Sequence, residues 1–501
     1  MKSVTAKEMY EIDQKAAEEY QLSEVLLMEN AGRAIADQIM KEVTVESKVV
    51  VLVGGGNNGG DGFVIARTLI NAGYDLKLIQ VEDDEKITGA AKEHKIILSK
   101  FGCQIIGIKE MNAKPELLKK ADVIIDALLG IGFRGVLKEP YRSIIEQVNQ
   151  TNAQVISVDL PSGIPAETND AETIAVKADY TYIIEAPKPS TFIERYADYY
   201  GEWDVVKIGL PKELINKSQK DVWTLDKVKH TLPRRKKHSH KGSHGNGLVI
   251  GGSELMPGAA QLTAKAALRS GVGLLTVATD QDLIPIVSSE ATEATFMKTN
   301  HGEIDLLEMF RPFDAIVIGM GMGRSETTER LVSTALKSDK PVIIDADGLF
   351  FAKNKLVSIT ARKAPTILTP HPGEMAMLID RSIDQIKQNP FEIAREFAVK
   401  YQLYLVLKGT YTIVTDPNGN QTINTTGNPG LAKGGSGDCL AGVILGQVMQ
   451  NQSTLNNLAN ACFIHGLAAD LAIHDRHTTI DLLATDLIDF LPEAFHTCLN
   501  N

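Results

Sequence analysis

Cysteine is scarce in this chain: its 501 residues include four, Cys103, Cys439, Cys462 and Cys498, scattered and without a Cys-x-x-Cys pair. That spacing indicates neither a zinc cage nor a disulfide framework. A long apolar run is also lacking. The stretch from Ala259 to Ala278 is broken by Lys265 and Arg269, so no membrane span is expected. The opening Met1-Lys2-Ser3-Val4-Thr5 has no apolar secretory core, and the expectation is a cytoplasmic enzyme. No short-period repeat or low-complexity tract is present. Basic charge is in deficit: Lys and Arg number 52 against 63 Asp and Glu, a formal net charge of −11. The balance argues against nucleic acid or an anionic membrane as a general partner. The basic run Pro233-Arg234-Arg235-Lys236-Lys237-His238-Ser239-His240-Lys241 lacks interleaved aromatics, and His238, His240 and His244 do not match zinc spacing. It reads as a solvated loop.

What remains is an ordinary globular composition, 44% apolar and 23% charged. The length exceeds one core and points to two domains of roughly 200–280 residues each. Thr5 and Glu8 have capping-box spacing before Met9, Ile12 and Ala16, which predicts a first helix; a second runs near 25–40. The run Val49-Val50-Val51-Leu52-Val53 ends in glycines, and further apolar runs follow at 76–81, 123–126, 155–158 and 180–184. Short buried strands alternating with helices predict a parallel sheet covered on both faces. This pattern stops near Leu210. A second series begins at Leu248-Val249-Ile250 and continues at 274–277, 315–318, 342–344, 366–368 and 405–407. Asp416-Pro417-Asn418-Gly419 predicts a hairpin turn between Ile413-Val414 and Thr422-Ile423. The fold class is α/β, with domains placed at 1–215 and 225–499 and a linker over 216–240.

Gly54-Gly55-Gly56-Asn57-Asn58-Gly59 formally fits G-x-G-x-x-G after a strand, and Glu82 and Asp83 follow the second strand. A dinucleotide reading is therefore available. Asp61, in Gly60-Asp61-Gly62, suits a helix start but would compete with a pyrophosphate. Two asparagines and an aspartate offer instead oxygen ligands for a hard cation or a polar ring. Asp126 and Asp159 end later strands, and with Asn58 and Ser162 they could converge from three loops.

The nine-residue run Gly54 to Gly62, with Asp126-Ala127-Leu128-Leu129-Gly130-Ile131-Gly132 and Val158-Asp159-Leu160-Pro161-Ser162-Gly163, resembles the NAD(P)H-hydrate epimerase family over about the first 210 residues. The resemblance implies a Rossmann-like domain that interconverts the R and S forms of hydrated NADH or NADPH, an isomerase. It implies that Asn57, Asn58, Gly59, Gly60, Asp61, Gly130, Ile131, Gly132, Phe133, Arg134, Gly135, Val136, Tyr141 and Asp159 contact the hydrate. Asn58, Asp126 and Ser162 would hold a potassium ion (K+). Asp159 is the choice for the proton-transfer acid/base.

In the second half, Asn428 to Asp438 is rich in glycine and precedes the apolar run Cys439–Val448. Small residues let backbone N–H groups close around phosphate oxygens at a helix start. The Gly-Lys-Ser/Thr ending of a Walker A loop is absent. Asp438 is positioned to take a proton from a substrate hydroxyl beside that phosphate. Lys408-Gly409-Thr410-Tyr411-Thr412 could close over a nucleotide. Gly319 to Gly323, Asp345-Ala346-Asp347-Gly348 and Thr369-Pro370-His371-Pro372-Gly373-Glu374 add polar groups at the same sheet edge.

Together these resemble the ribokinase-like fold. Through His240-Lys241-Gly242, Gly251-Gly252-Ser253, Thr369-Pro370-His371-Pro372-Gly373-Glu374, Lys408-Gly409-Thr410 and Gly434-Gly435-Ser436-Gly437-Asp438 the likeness narrows to the ADP/ATP-dependent NAD(P)H-hydrate dehydratase family, from roughly Leu225 to Leu499. The resemblance implies that Ala259, Gly323, His371 and Asp438 contact the hydrate. Lys408, Gly409, Thr410, Tyr411, Thr412 and the turn Gly434, Gly435, Ser436, Gly437 would serve the nucleotide, ADP or ATP with Mg2+. Phosphorylating a ring hydroxyl turns a poor leaving group into a good one, so a lyase is expected, and a homo-oligomer. Two rivals stand beside this reading: a small-molecule kinase with an unrelated fusion, and a non-catalytic N-terminal interaction module.

Overall fold

A computed structural model describes residues 1–113, 116–168, 173–299, 303–450 and 453–500. The chain divides into two compact units, Lys2–Ser218 and, counted with Met1, Gln219–Asn501.

The first unit opens with helices α1 (Ala6–Tyr20) and α2 (Glu24–Glu42). The capping box closes as its spacing predicts: Thr5 Oγ1 accepts the Glu8 N–H at 3.1 Å, and the Glu8 carboxylate accepts the Thr5 N–H at 2.7 Å. Seven strands follow: β1 (Val49–Val53), β2 (Leu76–Gln80), β3 (Ile105–Gly107), β4 (Val123–Ala127), β5 (Gln154–Val158), β6 (Tyr180–Ile184) and β7 (Glu202–Val206). They pair in parallel in the order β3-β2-β1-β4-β5-β6-β7. The first six strands have the doubly wound Rossmann order, which reverses direction between β1 and β4 and opens a crevice at their carboxyl ends. Helix α3 (Asn57–Asn71) leaves β1 at that crevice, and α4 (Tyr141–Val148) lies further along the chain. Apolar clusters fill both faces of the sheet, around Ile35, Phe63 and Leu69 on one side and Ile79, Ile124 and Ile144 on the other.

The second unit holds β8 (Lys220–Trp223), β9 (Asn246–Ile250), β10 (Leu274–Thr279), β11 (Thr295–Lys298), β12 (Ala315–Ile318), β13 (Val342–Ile344), β14 (Thr366–Leu368), β15 (Tyr404–Leu407), β16 (Thr412–Thr415) and β17 (Gln421–Asn424). Within the unit their order is β8-β17-β16-β15-β14-β13-β12-β9-β10-β11. The pairs β15/β16 and β16/β17 are antiparallel and the others parallel. The hairpin falls at the expected turn, where Asp416 Oδ1 accepts the Asn418 and Asn420 N–H groups at 2.9 and 2.8 Å and Gly419 takes a positive φ of 84°. Helices α5 (Pro257–Arg269), α7 (Ser436–Val448), α8 (Thr454–Asp475) and α9 (Ala484–Leu499) pack with this sheet, and α6 (Pro372–Ile379) follows β14.

Four strands fall outside the apolar runs. β3, β7 and β11 are edge strands with exposed positions, and β8 begins Lys220-Asp221. The stretch expected to be a linker, 216–240, thus holds β8 and a helix, Leu225–Thr231; its basic part, 234–238, is exposed. No helix among the described residues is long and apolar enough to cross a membrane.

Candidate active sites

In the first unit the turn from β1 into α3 is too tight for side chains: a Cβ on Gly59 would lie 2.1 Å from the Gly54 carbonyl oxygen. The turn presents Asn57, Asn58 and Asp61 to a cavity of about 690 Å³. Gly130, Ile131, Gly132 and Phe133 from the loop after β4 line it too, with Tyr141, Asp159 after β5, Lys188 after β6, and Tyr10 and Asp13 of α1. Gly59, Gly60, Arg134, Gly135 and Val136 are not among the lining residues, and Val136 is 70% exposed.

Beneath the cavity Asp126 is fully buried. Its Oδ1 accepts Ser162 Oγ–H at 2.6 Å, and its Oδ2 accepts Ser157 Oγ–H at 2.8 Å and the Ser162 N–H at 2.9 Å. Burial raises its pKa, and the bonds from Ser162, Ser157 and Leu128 draw it back. Asn58 Nδ2 donates to the Leu129 carbonyl at 2.9 Å, while Asn58 Oδ1 is buried without a hydrogen-bond partner. Ser162 Oγ lies 3.3 Å from that same carbonyl. An orphaned amide oxygen beside hydroxyl, carboxylate and carbonyl oxygens is a donor set suited to a hard cation.

Asp159 is held in the left-handed region, at φ 65°, a conformation rare outside glycine. Its Oδ1 accepts the Lys188 ammonium at 2.5 Å and the Ile184 N–H at 3.0 Å. Lys188 itself is 1% exposed. Burial, with Asp159 and Glu24 adding to it, pushes Asp13 up to about 6. Asp61 is pushed well above the usual carboxylate range by burial and then by the charges of Asp159 and Asp13. Burial and the Glu82 carboxylate likewise raise the Tyr141 phenol. Lys188 and Asp13 escape the sequence reading. The strand-end rule that found Asp159 also covers Lys188, in Glu185-Ala186-Pro187-Lys188-Pro189 after β6. Asp13 lies on the polar face of an amphipathic helix and carries no local signal.

In the second unit the glycine turn places Gly435, at φ 93°, as the N-cap of α7. Asp438 is the third helical residue, not the cap. A Cβ on Gly437 would lie 3.6 Å from Lys408 Nζ and 3.9 Å from Asp345 Oδ2, so both face the turn. Lys408 Nζ donates to Asp345 Oδ1 at 2.9 Å and lies 3.7 Å from Glu374 Oε2. Asp345 also accepts the Thr369 hydroxyl at 2.7 Å. Burial pulls the Lys408 pKa down, but Asp345, Glu374 and Asp438 outweigh it and the net direction is upward. Asp438 is pushed up to about 7 by burial and by Asp345, with Lys408 opposing. A carboxylate in that range can both hold and release a proton near neutrality.

The start of α7 is braced from α8. His465 Nε2 lies 3.0 Å from the Ser436 carbonyl, and burial pushes its pKa down to about 4, leaving a neutral imidazole whose Nε2–H donates. His371 is the N-cap of α6: its Nδ1 accepts the Gly373 and Glu374 N–H groups at 3.0 and 3.2 Å, and the ring stays 57% exposed. The Gly323 N–H donates to Asp347 Oδ2 at 2.8 Å. Ala259 sits on α5 against the 319–323 turn, where a Cβ on Gly321 would come within 2.7 Å of its own. Gly409 and Thr410 are exposed, and Tyr411 and Thr412 are half-buried. The sequence reading quotes Asp345 and Glu374 only within motifs, and it misses His465, which sits within an apolar helix.

Two α/β units, each with carboxylates and a glycine turn at the carboxyl edge of its sheet, define a two-site enzyme acting on phosphate-bearing small molecules. Residues 24–190 match the model for the YjeF-related protein N-terminus, and residues 247–493 match that for NAD(P)H-hydrate dehydratase. The chain is 35% identical to the bifunctional NAD(P)H-hydrate repair enzyme Nnr of Thermofilum pendens, over 99% of this chain and 96% of that protein. It is 32% identical to its namesake of Escherichia coli, over 96% and 91%. The crystal structure of the ADP/ATP-dependent NAD(P)H-hydrate dehydratase from Bacillus subtilis, co-crystallised with ATP and Mg2+, is similar to 56% of this chain and covers 98% of its own, at 37% identity and a TM-score of 0.52. The chain belongs to the family of bifunctional NAD(P)H-hydrate repair enzymes.

Proposed function

We propose that the first unit interconverts the R and S forms of hydrated NADH or NADPH, and that the second dehydrates the S form with ADP, giving AMP and phosphate, or with ATP. The observation that carries the reading is Asp438 at the glycine turn, facing Lys408 and Asp345, in one chain with the cavity around Asp159. In the second unit Asp438 takes the proton of the ring hydroxyl, whose oxygen attacks the terminal phosphorus of the nucleotide as the phosphoanhydride bond breaks. The phosphate ester so formed leaves as inorganic phosphate, and loss of a ring proton restores the dihydropyridine. N–H groups of Gly434 to Gly437 and the Lys408 ammonium balance charge on the transferring group. Mg2+ supplies further neutralisation when the nucleotide is bound, and Asp345 and Glu374 provide carboxylate oxygens at that edge. In the first unit Asn58, Asp126 and Ser162 would hold K+, for which the orphaned Asn58 Oδ1 is the fitting donor.

Supplying hydrated NADH with ADP or with ATP tests this. Recovery of dihydronicotinamide absorbance, with consumption of the R form as well as the S form, is the expected result. No recovery with either nucleotide overturns it, and a stable phosphorylated alcohol would mark a small-molecule kinase instead.

A further inference from the structure

The cavity of the first unit contains two kinds of carboxyl group. Asp159 is engaged through one oxygen: its Oδ1 takes both the Lys188 ammonium and the Ile184 N–H. Asp61 is the opposite case. It is 7% exposed, it lines the cavity, and its carboxyl has no hydrogen bond or ion pair among the described residues. A buried polar group left without a partner is costly, and such a group aimed into a cavity marks a position completed by a ligand. The two groups also approach from different elements. Asp61 rides on α3, which follows β1, whereas Asp159 ends β5; in the sheet β4 lies between those strands, and its loop Leu128–Phe133 lines the floor between them.

We infer that Asp61 is a second catalytic acid/base of the epimerase, working against Asp159 across the cavity so that the hydroxyl leaves toward one carboxyl and water returns from the side of the other. This rests on the epimerase reading given above. The pair suits inversion by loss and return of the hydroxyl: a carbon that bears a hydroxyl and a ring nitrogen can release water from one face and take it up at the other, and each step needs its own proton carrier. In one direction Asp61 gives its proton to the hydroxyl oxygen. The carbon–oxygen bond breaks, the ring-nitrogen lone pair forms a carbon–nitrogen double bond, and water leaves. Water then adds to the opposite face, its electrons return the nitrogen lone pair, and its surplus proton passes to the Asp159 carboxylate. The enzyme is left with Asp61 ionised and Asp159 protonated, the state required for the reverse turnover, and solvent exchange resets it.

The charges facing Asp61 fit a proton donor. Asp13 from α1, Glu24 from α2 and Asp159 raise its pKa in addition to burial, and Lys188 alone among them opposes. The upward shift favours its acid form, and a rate that depends on that form falls as pH rises through the raised value.

The test follows epimerisation of purified R hydrate by the full chain, without nucleotide, in water enriched in oxygen-18. Wild type should place one solvent oxygen on the ring carbon per inversion. Asp61→Asn should slow inversion by about 10²–10⁴-fold and abolish the alkaline limb of the rate profile. Inversion by wild type without solvent oxygen, or an Asp61→Asn rate within a few-fold of wild type, overturns the assignment. The isotope result comes from wild type alone, so a lack of solvent oxygen in the product overturns the assignment even where the variant does not fold. Absence of any wild-type inversion would instead defeat the epimerase reading.

Discussion

Asp438 carries opposing demands. Its carboxyl, ordinarily near 3.8, sits at about 7 in the folded chain because it is buried beside Asp345, with Lys408 compensating in part. Between those two pH values the folded state binds more protons than the unfolded state, so stability falls as pH rises from about 4 to about 7. Asp438→Asn removes that dependence while keeping the shape. The variant should melt above wild type at pH 8, by at most about 4 kcal/mol of unfolding free energy, with the gap closing toward pH 4. Dehydration should drop by about 10²–10⁴-fold, and the acid limb near neutrality should disappear while epimerisation persists. Calorimetry across pH and the two assays check this; a variant less stable than wild type at pH 8 would show that the carboxylate is paired better than its surroundings indicate.

Elements divide by how much of their environment is local. β1, β4, β12 and β13 are buried throughout and announce themselves as apolar runs, whereas the edges β7 and β11 place polar residues outward and leave no such run. The same divide holds for the sites. Asp159, Asp438 and the glycine turns stand at strand or helix ends, where the local motif itself points to chemistry. Lys188 meets Asp159 across 29 residues and Lys408 meets Asp345 across 63, contacts that only tertiary packing creates. Gly435 shows what an element end demands. At φ 93° it caps α7, and a Cβ there would lie 2.7 Å from Leu262 Cδ1 and 3.0 Å from Ala484 Cβ. Gly435→Ala should therefore destabilise the second unit by about 1–2 kcal/mol from backbone strain. It should also weaken ADP binding in titration calorimetry, because the N–H groups that follow it form the phosphate cradle. Unchanged ADP affinity would remove the turn from the nucleotide site.

At the scale of the whole molecule each unit has its own core: the clusters around Phe63, Ile124 and Met9 in one, and that around Ile444 and Leu491 in the other. Chains with separate cores need not unfold as one cooperative step. Two calorimetric transitions are expected, and ligands should address them separately. ADP with Mg2+ at a hundred times its dissociation constant should raise the second unit's transition by about 2.7 kcal/mol and leave the other in place. Replacing K+ by Li+ should lower the first unit's transition alone, because Asn58 Oδ1, Asp126 and Ser162 sit within that unit's buried centre and lose the cation their oxygens suit. The assignment is internal to one sample, since each ligand serves as the control for the other. A K+ effect confined to the second unit would move the cation from beneath the Asp159 cavity to the nucleotide edge, where Asp345 and Glu374 supply the carboxylates.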